Sequence, residues 1–103
     1  MAGLKLKLSV SYHTQAMPAE VVIYRTPTCA YCHHVHRLLE SKGVAFTEVD
    51  VAGDEGKRRW LLDVTKRRTV PQVFINGKPV GGFDDLARLN RSGELDRLLA
   101  ESV

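Results

Sequence analysis

Val21-Val22-Ile23-Tyr24-Arg25-Thr26-Pro27-Thr28-Cys29-Ala30-Tyr31-Cys32 is the stretch on which the fold turns. Its first four residues are continuously apolar and mostly β-branched, as in a strand buried on both faces. Thr26-Pro27-Thr28 interrupts the run. Over residues 31–42, Cys32, Val35, Leu38 and Leu39 recur at helical spacing, and Gly43 supplies a natural C-terminal stop. Two cysteines therefore sit where a strand gives way to a helix.

Downstream, Phe46 to Val51 predicts a second strand. Asp54 can open a helix whose apolar face is Trp60, Leu61 and Val64, with Lys57, Arg58, Arg59, Lys66 and Arg67 left polar. Val73-Phe74-Ile75 predicts a strand, Asn76-Gly77 a two-residue hairpin turn, and Lys78 to Val80 the return. Pro79 in that return implies a sheet edge, where a missing N–H matters least. Gly81-Gly82 breaks the pattern, Asp84 can cap a helix through Asn90, and Gly93 separates a short last helix, Glu94 to Ala100. The first βαβ unit must join parallel strands by a right-handed crossover, and the hairpin adds an antiparallel pair. The expected fold is α/β: a four-stranded mixed sheet with helices on both faces, in the order β-α-β-α-β-β-α and closed by the short last helix.

The chain has 103 residues, one domain's worth. Its 44% hydrophobic content is enough for a small core and argues against wholesale disorder. Residues 1–18 are expected to form a poorly ordered extension, with Met17 a candidate start, and residues 19–103 the working domain. The formal charge of +3 is too mild to imply nucleic acid. No apolar run approaches the ~18 residues of a membrane span, and no export signal is visible. No nucleic-acid or membrane partner is expected.

Two cysteines exclude a multi-disulfide scaffold and cannot by themselves close a tetrahedral zinc site. His33, His34 and His36 lie nearby, but no spacing pairs two of them properly with both thiols, and solvation explains them. Cys29-Ala30-Tyr31-Cys32-His33 also fits covalent haem attachment. That needs an axial ligand, yet the only methionines are Met1 and Met17 and no histidine follows His36. A pair of buried structural thiols is the remaining bland reading. Position favours redox chemistry instead. At the start of a helix, unsatisfied N–H groups and the positive end of the dipole favour a thiolate at Cys29. They also make Cys29 a good leaving group when a second thiol attacks its mixed disulfide. Cys32, one turn in on the core side, would be the resolving thiol.

Three segments together carry a family resemblance: Tyr24-Arg25-Thr26-Pro27-Thr28-Cys29-Ala30-Tyr31-Cys32, then Thr69-Val70-Pro71-Gln72-Val73-Phe74-Ile75, then Gly81-Gly82-Phe83-Asp84-Asp85-Leu86. In this order and at these distances they resemble the glutaredoxins of the dithiol class, from about Glu20 to Glu101. The resemblance implies a three-layer thioredoxin-like fold and a glutathione-dependent disulfide oxidoreductase. Its clients would be disulfide-containing and glutathionylated proteins, its compartment the cytoplasm, and its state a monomer when free of any cluster. It further implies a cis peptide before Pro71 and glutathione contacts at Tyr31, Arg58, Thr69, Val70, Pro71, Gly82, Phe83 and Asp84. Thr69-Val70 would offer backbone groups to the tripeptide, Asp84 and nearby N–H groups would hold its γ-glutamyl end, and Arg58 its glycine carboxylate.

Two positions depart from the family pattern. The residue three before the first cysteine is Thr26 rather than a base, and Arg25, one place earlier, would point to the opposite face of a strand. Ala30 stands where many dithiol members have proline. Members with a small residue there can hold a [2Fe–2S] cluster between two protomers and two glutathiones, and Cys29 would then be its ligand.

Overall fold

A computed structural model describes residues 19–101. Its elements in chain order are β1 (Val21–Arg25), α1 (Ala30–Ser41), β2 (Thr47–Asp50), α2 (Glu55–Thr65), β3 (Gln72–Ile75), β4 (Lys78–Gly81), α3 (Phe83–Ser92) and α4 (Glu94–Leu99). The strands form one mixed sheet in the order β2-β1-β3-β4. β1 runs parallel to β2, with Val22 opposite Thr47, and antiparallel to β3, with Tyr24 opposite Gln72. The Cys-bearing end of β1 thereby lies beside the start of β3.

Because side chains alternate across a strand, β1 feeds two cores. Val21 and Ile23 join Val73 and Ile75 of β3 against Val35 and Leu39 of α1 and Leu86, Leu95 and Leu99 of α3 and α4. On the other face, Val22 and Tyr24 meet Phe74, Val51 and Leu61 of α2. The sheet is thus sandwiched between α1, α3 and α4 on one side and α2 alone on the other. Fully burying a Leu or Ile contributes roughly 1.5–3 kcal/mol, so the first face carries most of the apolar stabilisation.

The hairpin follows its sequence signal. Asn76 and Gly77 have φ of 53° and 81°, as a two-residue turn of right-twisted strands requires. Pro79 lies on β4, an edge strand. Asn76 has a second use: its Oδ1 accepts the Glu20 N–H at 2.8 Å and its Nδ2 donates to the Glu101 carbonyl at 3.1 Å.

Several expectations need correction. β2 is shorter than Phe46–Val51 by a residue at each end. Phe46 turns to pack beside the first core, while Val51 is fully buried on the α2 side. Only Leu61 of the expected apolar face of α2 is buried; Trp60 and Val64 are 42% and 41% exposed. One helix on a narrow sheet leaves its flanks open, and Trp60 instead lies across Phe74 and Tyr24 with centroids 5.5 and 5.4 Å apart. Asp84 does not cap α3. The helix starts at Phe83 with Gly82 as N-cap, and Asp85 reaches back to accept the Gly82 N–H at 3.0 Å. α3 also runs on to Ser92, two residues beyond the expected end, and α4 stops at Leu99 rather than Ala100. The expectations for residues 1–18 lie outside the described residues.

Candidate active site

Cys29 is the N-cap of α1, with extended backbone (φ −87°, ψ 114°), and its Sγ accepts the Cys32 backbone N–H at 3.2 Å. A cap residue satisfies one of the orphan donors of the first turn, a role that serine or aspartate oxygen usually fills. Here sulfur fills it, so the helix supplies a hydrogen bond that strengthens when the sulfur is an anion. The thiol proton points the other way, to the Val70 carbonyl at 3.6 Å. The Val70–Pro71 peptide is cis, as the resemblance implied.

Cys32 occupies a different environment. It is 4% exposed and packs on the core side of α1 with Val35 and Leu39. Burial, and next the adjacent Cys29 sulfur, push its thiol up to about 12. Cys29 is reachable from solvent and Cys32 is not. An incoming disulfide can therefore reach Cys29 more readily than Cys32. Once that sulfur is tied up in a mixed disulfide, the repulsion it exerts on an ionising Cys32 disappears.

A cleft of about 270 Å³ opens beyond Val70, whose carbonyl lies 3.6 Å from the Cys29 sulfur. It brings together seven of the eight residues singled out for glutathione: Tyr31, Thr69, Val70, Pro71, Gly82, Phe83 and Asp84. Tyr31 and Phe83 stack at 6.3 Å to form part of its wall. Arg58 is not in it. It lines a neighbouring cleft that shares Arg67, Thr69 and Val70 with the first.

Two arrangements were invisible to sequence reading. The first is an ion pair between Arg67 and Asp85 at 2.6 Å, which Arg88 joins at 3.1 Å. The guanidinium holds the Asp85 carboxyl well below the usual carboxylate range, and Asp85 raises Arg67 in return. Arg67 was assigned to the polar face of the second helix, yet α2 ends at Thr65 and Lys66 turns into the left-handed region, freeing Arg67 to reach α3. Gly81 is required here, since a Cβ would collide with the Asp85 carboxylate. The second concerns Gln72, 1% exposed, whose Nε2 donates to the Thr69 carbonyl at 2.9 Å and so fixes the cleft wall from within. A polar residue at the head of an otherwise apolar strand was the available signal.

On the opposite side of the thiols His36 is partly solvated, as expected of these histidines, but it is also ion-paired. Its Nδ1 faces Glu48 at 3.0 Å and its Nε2 faces Glu40 at 3.1 Å. Only the imidazolium donates from both nitrogens, and the two carboxylates, Glu48 foremost, raise its pKa. Arg25 also turns to Glu48, at 3.5 Å. Among the described residues, no cluster of three or more His, Cys, Asp or Glu is arranged to hold a metal ion, and no helix is long and apolar enough to cross a membrane.

A Cys-x-x-Cys pair at a strand-to-helix junction, one thiol open and one buried, beside a cis-proline that leads into β3, defines a thiol–disulfide oxidoreductase of thioredoxin-like fold. The family model for glutaredoxin matches residues 21–80. Glutaredoxin 3 of Escherichia coli strain K12 is 47% identical over 81 residues, spanning 79% of this chain and 98% of that one. A glutaredoxin of Pseudomonas aeruginosa is 45% identical over 80 residues, 78% of this chain and 95% of its own. Among solved structures, glutaredoxin from Brucella melitensis superposes with a TM-score of 0.73 at 40% identity, covering 82% of this chain and 91% of its own. A buckwheat glutaredoxin–glutathione complex does so with a TM-score of 0.73 at 29% identity, covering 86% of this chain and 84% of its own. The chain belongs to the glutaredoxin family.

Proposed function

We propose that the thiol–disulfide exchange is driven by glutathione, with Cys29 as nucleophile and Cys32 as resolving thiol. The observation that carries this reading is the cleft beside Cys29, lined by Thr69, Val70, Gly82, Phe83 and Asp84. The buckwheat relative, solved as a complex with glutathione, supports it. Asp85 accepts the Gly82 N–H, while the first-turn N–H groups of Phe83 and Asp84 have no intrahelical partner at the positive end of α3. A carboxylate such as that of a γ-glutamyl group suits them, and the exposed Asp84 carboxylate suits the neighbouring ammonium. Arg58, in the adjoining cleft, would take the glycine carboxylate.

In the forward cycle the Cys29 thiolate attacks one sulfur of a client disulfide, and the other client sulfur leaves as thiolate. Cys32 loses its proton and attacks the Cys29 sulfur, releasing the second client thiol and closing a Cys29–Cys32 disulfide. Two glutathione molecules then reduce that bond and leave as glutathione disulfide. With a glutathionylated client, Cys29 takes the glutathione sulfur directly and a second glutathione removes it. Glutaredoxin potentials of about −200 to −230 mV lie near the glutathione poise of the cytoplasm, the compartment such chemistry suits. The cluster-holding alternative rests on Ala30 alone. One accessible thiol per chain is what that arrangement asks for, but no second feature of the site favours it.

The decisive assay couples disulfide turnover to glutathione and glutathione reductase, in parallel with thioredoxin reductase. Turnover should appear only with glutathione. Cys29→Ser should abolish it, while Cys32→Ser should retain glutathione removal from mixed disulfides. Full activity of Cys29→Ser would sink the assignment.

A further inference from the structure

We infer that the arginine-lined cleft beside the glutathione groove is a docking subsite for acidic segments of disulfide-bearing client proteins. This deepens the glutathione-driven exchange reading and rests on it. The cleft, about 280 Å³, is walled by Arg58 and Arg59 of α2 and by Arg67 and Arg68 of the loop that follows. Val51, Leu61 and Leu62 contribute apolar lining, and Glu55 is its sole acidic wall residue. The chain carries a formal charge of only +3, so four guanidiniums in one cleft are a concentration of charge rather than a reflection of composition.

Arg67 is committed to Asp85. Among the described residues, no ion pair engages Arg58, Arg59 or Arg68. The glycine carboxylate of glutathione needs one guanidinium, for which Arg58 serves. Arg59 and Arg68 then exceed what that tripeptide uses. A ligand that exploits them carries several negative charges spread along its length, as an acidic peptide does.

Position fits that ligand. The cleft and the groove share Thr69 and Val70, and the Val70 carbonyl lies 3.6 Å from the Cys29 sulfur. Arg68 is two residues from Val70, a span of at most about 7 Å. A client chain that places its disulfide at Cys29 and continues past Val70 therefore brings residues about three positions away over the arginines. The apolar lining gives the stems of Asp and Glu somewhere to rest. Charges at an exposed rim of this kind act on encounter and register more than on tight binding, so the effect belongs in kcat/KM and weakens with salt.

The test uses the whole chain with glutathione and glutathione reductase, and two synthetic peptides with the same internal disulfide. One carries aspartates beginning about three positions from the reacting cysteine, the other lysines at those places. At low salt kcat/KM should favour the acidic peptide by about threefold to tenfold, falling toward parity near ~0.5 M salt. In Arg59→Ala/Arg68→Ala the acidic-to-basic ratio should fall to near one. In Lys78→Ala/Arg91→Ala, which removes the same charge from residues outside the cleft lining, the ratio should persist. Because the readout is a ratio, a general loss of activity cancels. No acidic preference in the wild type, an unchanged ratio in the cleft variant, or an equal fall in the control would overturn the inference. A neutral small disulfide tests the glutathione reading separately. A cysteine-free acidic peptide, followed by amide chemical shifts, judges the cleft even if that turnover fails: shifts centred on Arg59 and Arg68 support it, and their absence overturns it.

Discussion

The guanidinium of Arg67 meets the carboxylate of Asp85 at 2.6 Å, tying the loop after α2 to the first turn of α3. Both residues line the cleft beside Cys29, so the pair sets the distance between its two walls. Arg67→Ala should raise the KM for glutathione by about threefold to tenfold, which is what losing about 1 kcal/mol of positioning produces. The turnover of bound substrate should change little. A matching fall in kcat would show that Arg67 acts on the chemistry instead.

Asp85 also caps α3, so Asp85→Ala should cost about 1–2 kcal/mol in urea unfolding at neutral pH. Its folded-state carboxyl is held well below its unfolded value of ~3.9. The charge-dependent stabilisation is therefore complete above that value and is lost progressively as pH falls from it toward the folded-state value. The stability gap between wild type and Asp85→Asn should be widest near neutrality and shrink below about pH 4.

His36 has the opposite sign. Its folded-state pKa is raised by Glu48 and Glu40, so its contribution is fully present below the unfolded value of ~6.5 and is lost as pH rises past the folded one. His36→Gln should be less stable than wild type at pH 5.5–6 and nearly equal to it by about pH 9. The difference should stay under about 1 kcal/mol, since the group is well exposed. A gap that widens with pH would contradict this.

Thiol labelling should separate the cysteines. With Cys32 buried and its thiol pushed up to about 12, brief iodoacetamide treatment near neutral pH should add one adduct, on Cys29. The second adduct should require denaturant. Peptide mapping that finds Cys32 labelled in the native protein would count against the assigned order of attack.

Leu39, fully buried between α1 and the sheet, should cost about 2–5 kcal/mol on replacement by alanine. Val64→Ala, on the open flank of α2, should cost under about 1 kcal/mol despite the same apolar character. Paired urea curves would show whether the two faces of the sheet are as unequal as the packing indicates.

The sequence revealed most where backbone chemistry is local. Asn76-Gly77 dictates a turn by its φ preferences, Pro79 seeks an edge, and Cys29 meets a helix start because Pro27 ends the strand. It was least legible where a side chain's partner lies far along the chain. Arg67 and Asp85 are 18 positions apart, and His36 and Glu48 are 12 apart. No periodicity encodes such meetings. The exposed Trp60 is a further case, because helical spacing marks an apolar stripe without saying whether anything covers it.

Asn76 bonds to Glu20 at one end of the described chain and Glu101 at the other, at the pole of the sheet away from Cys29. Within the described residues, both ends thus share one anchorage at the pole opposite the thiols. A domain cut to residues 19–101 and tethered at either of those ends, or carried so within a longer polypeptide, would present its thiols outward. Such fusions should keep the exchange rate of the free domain.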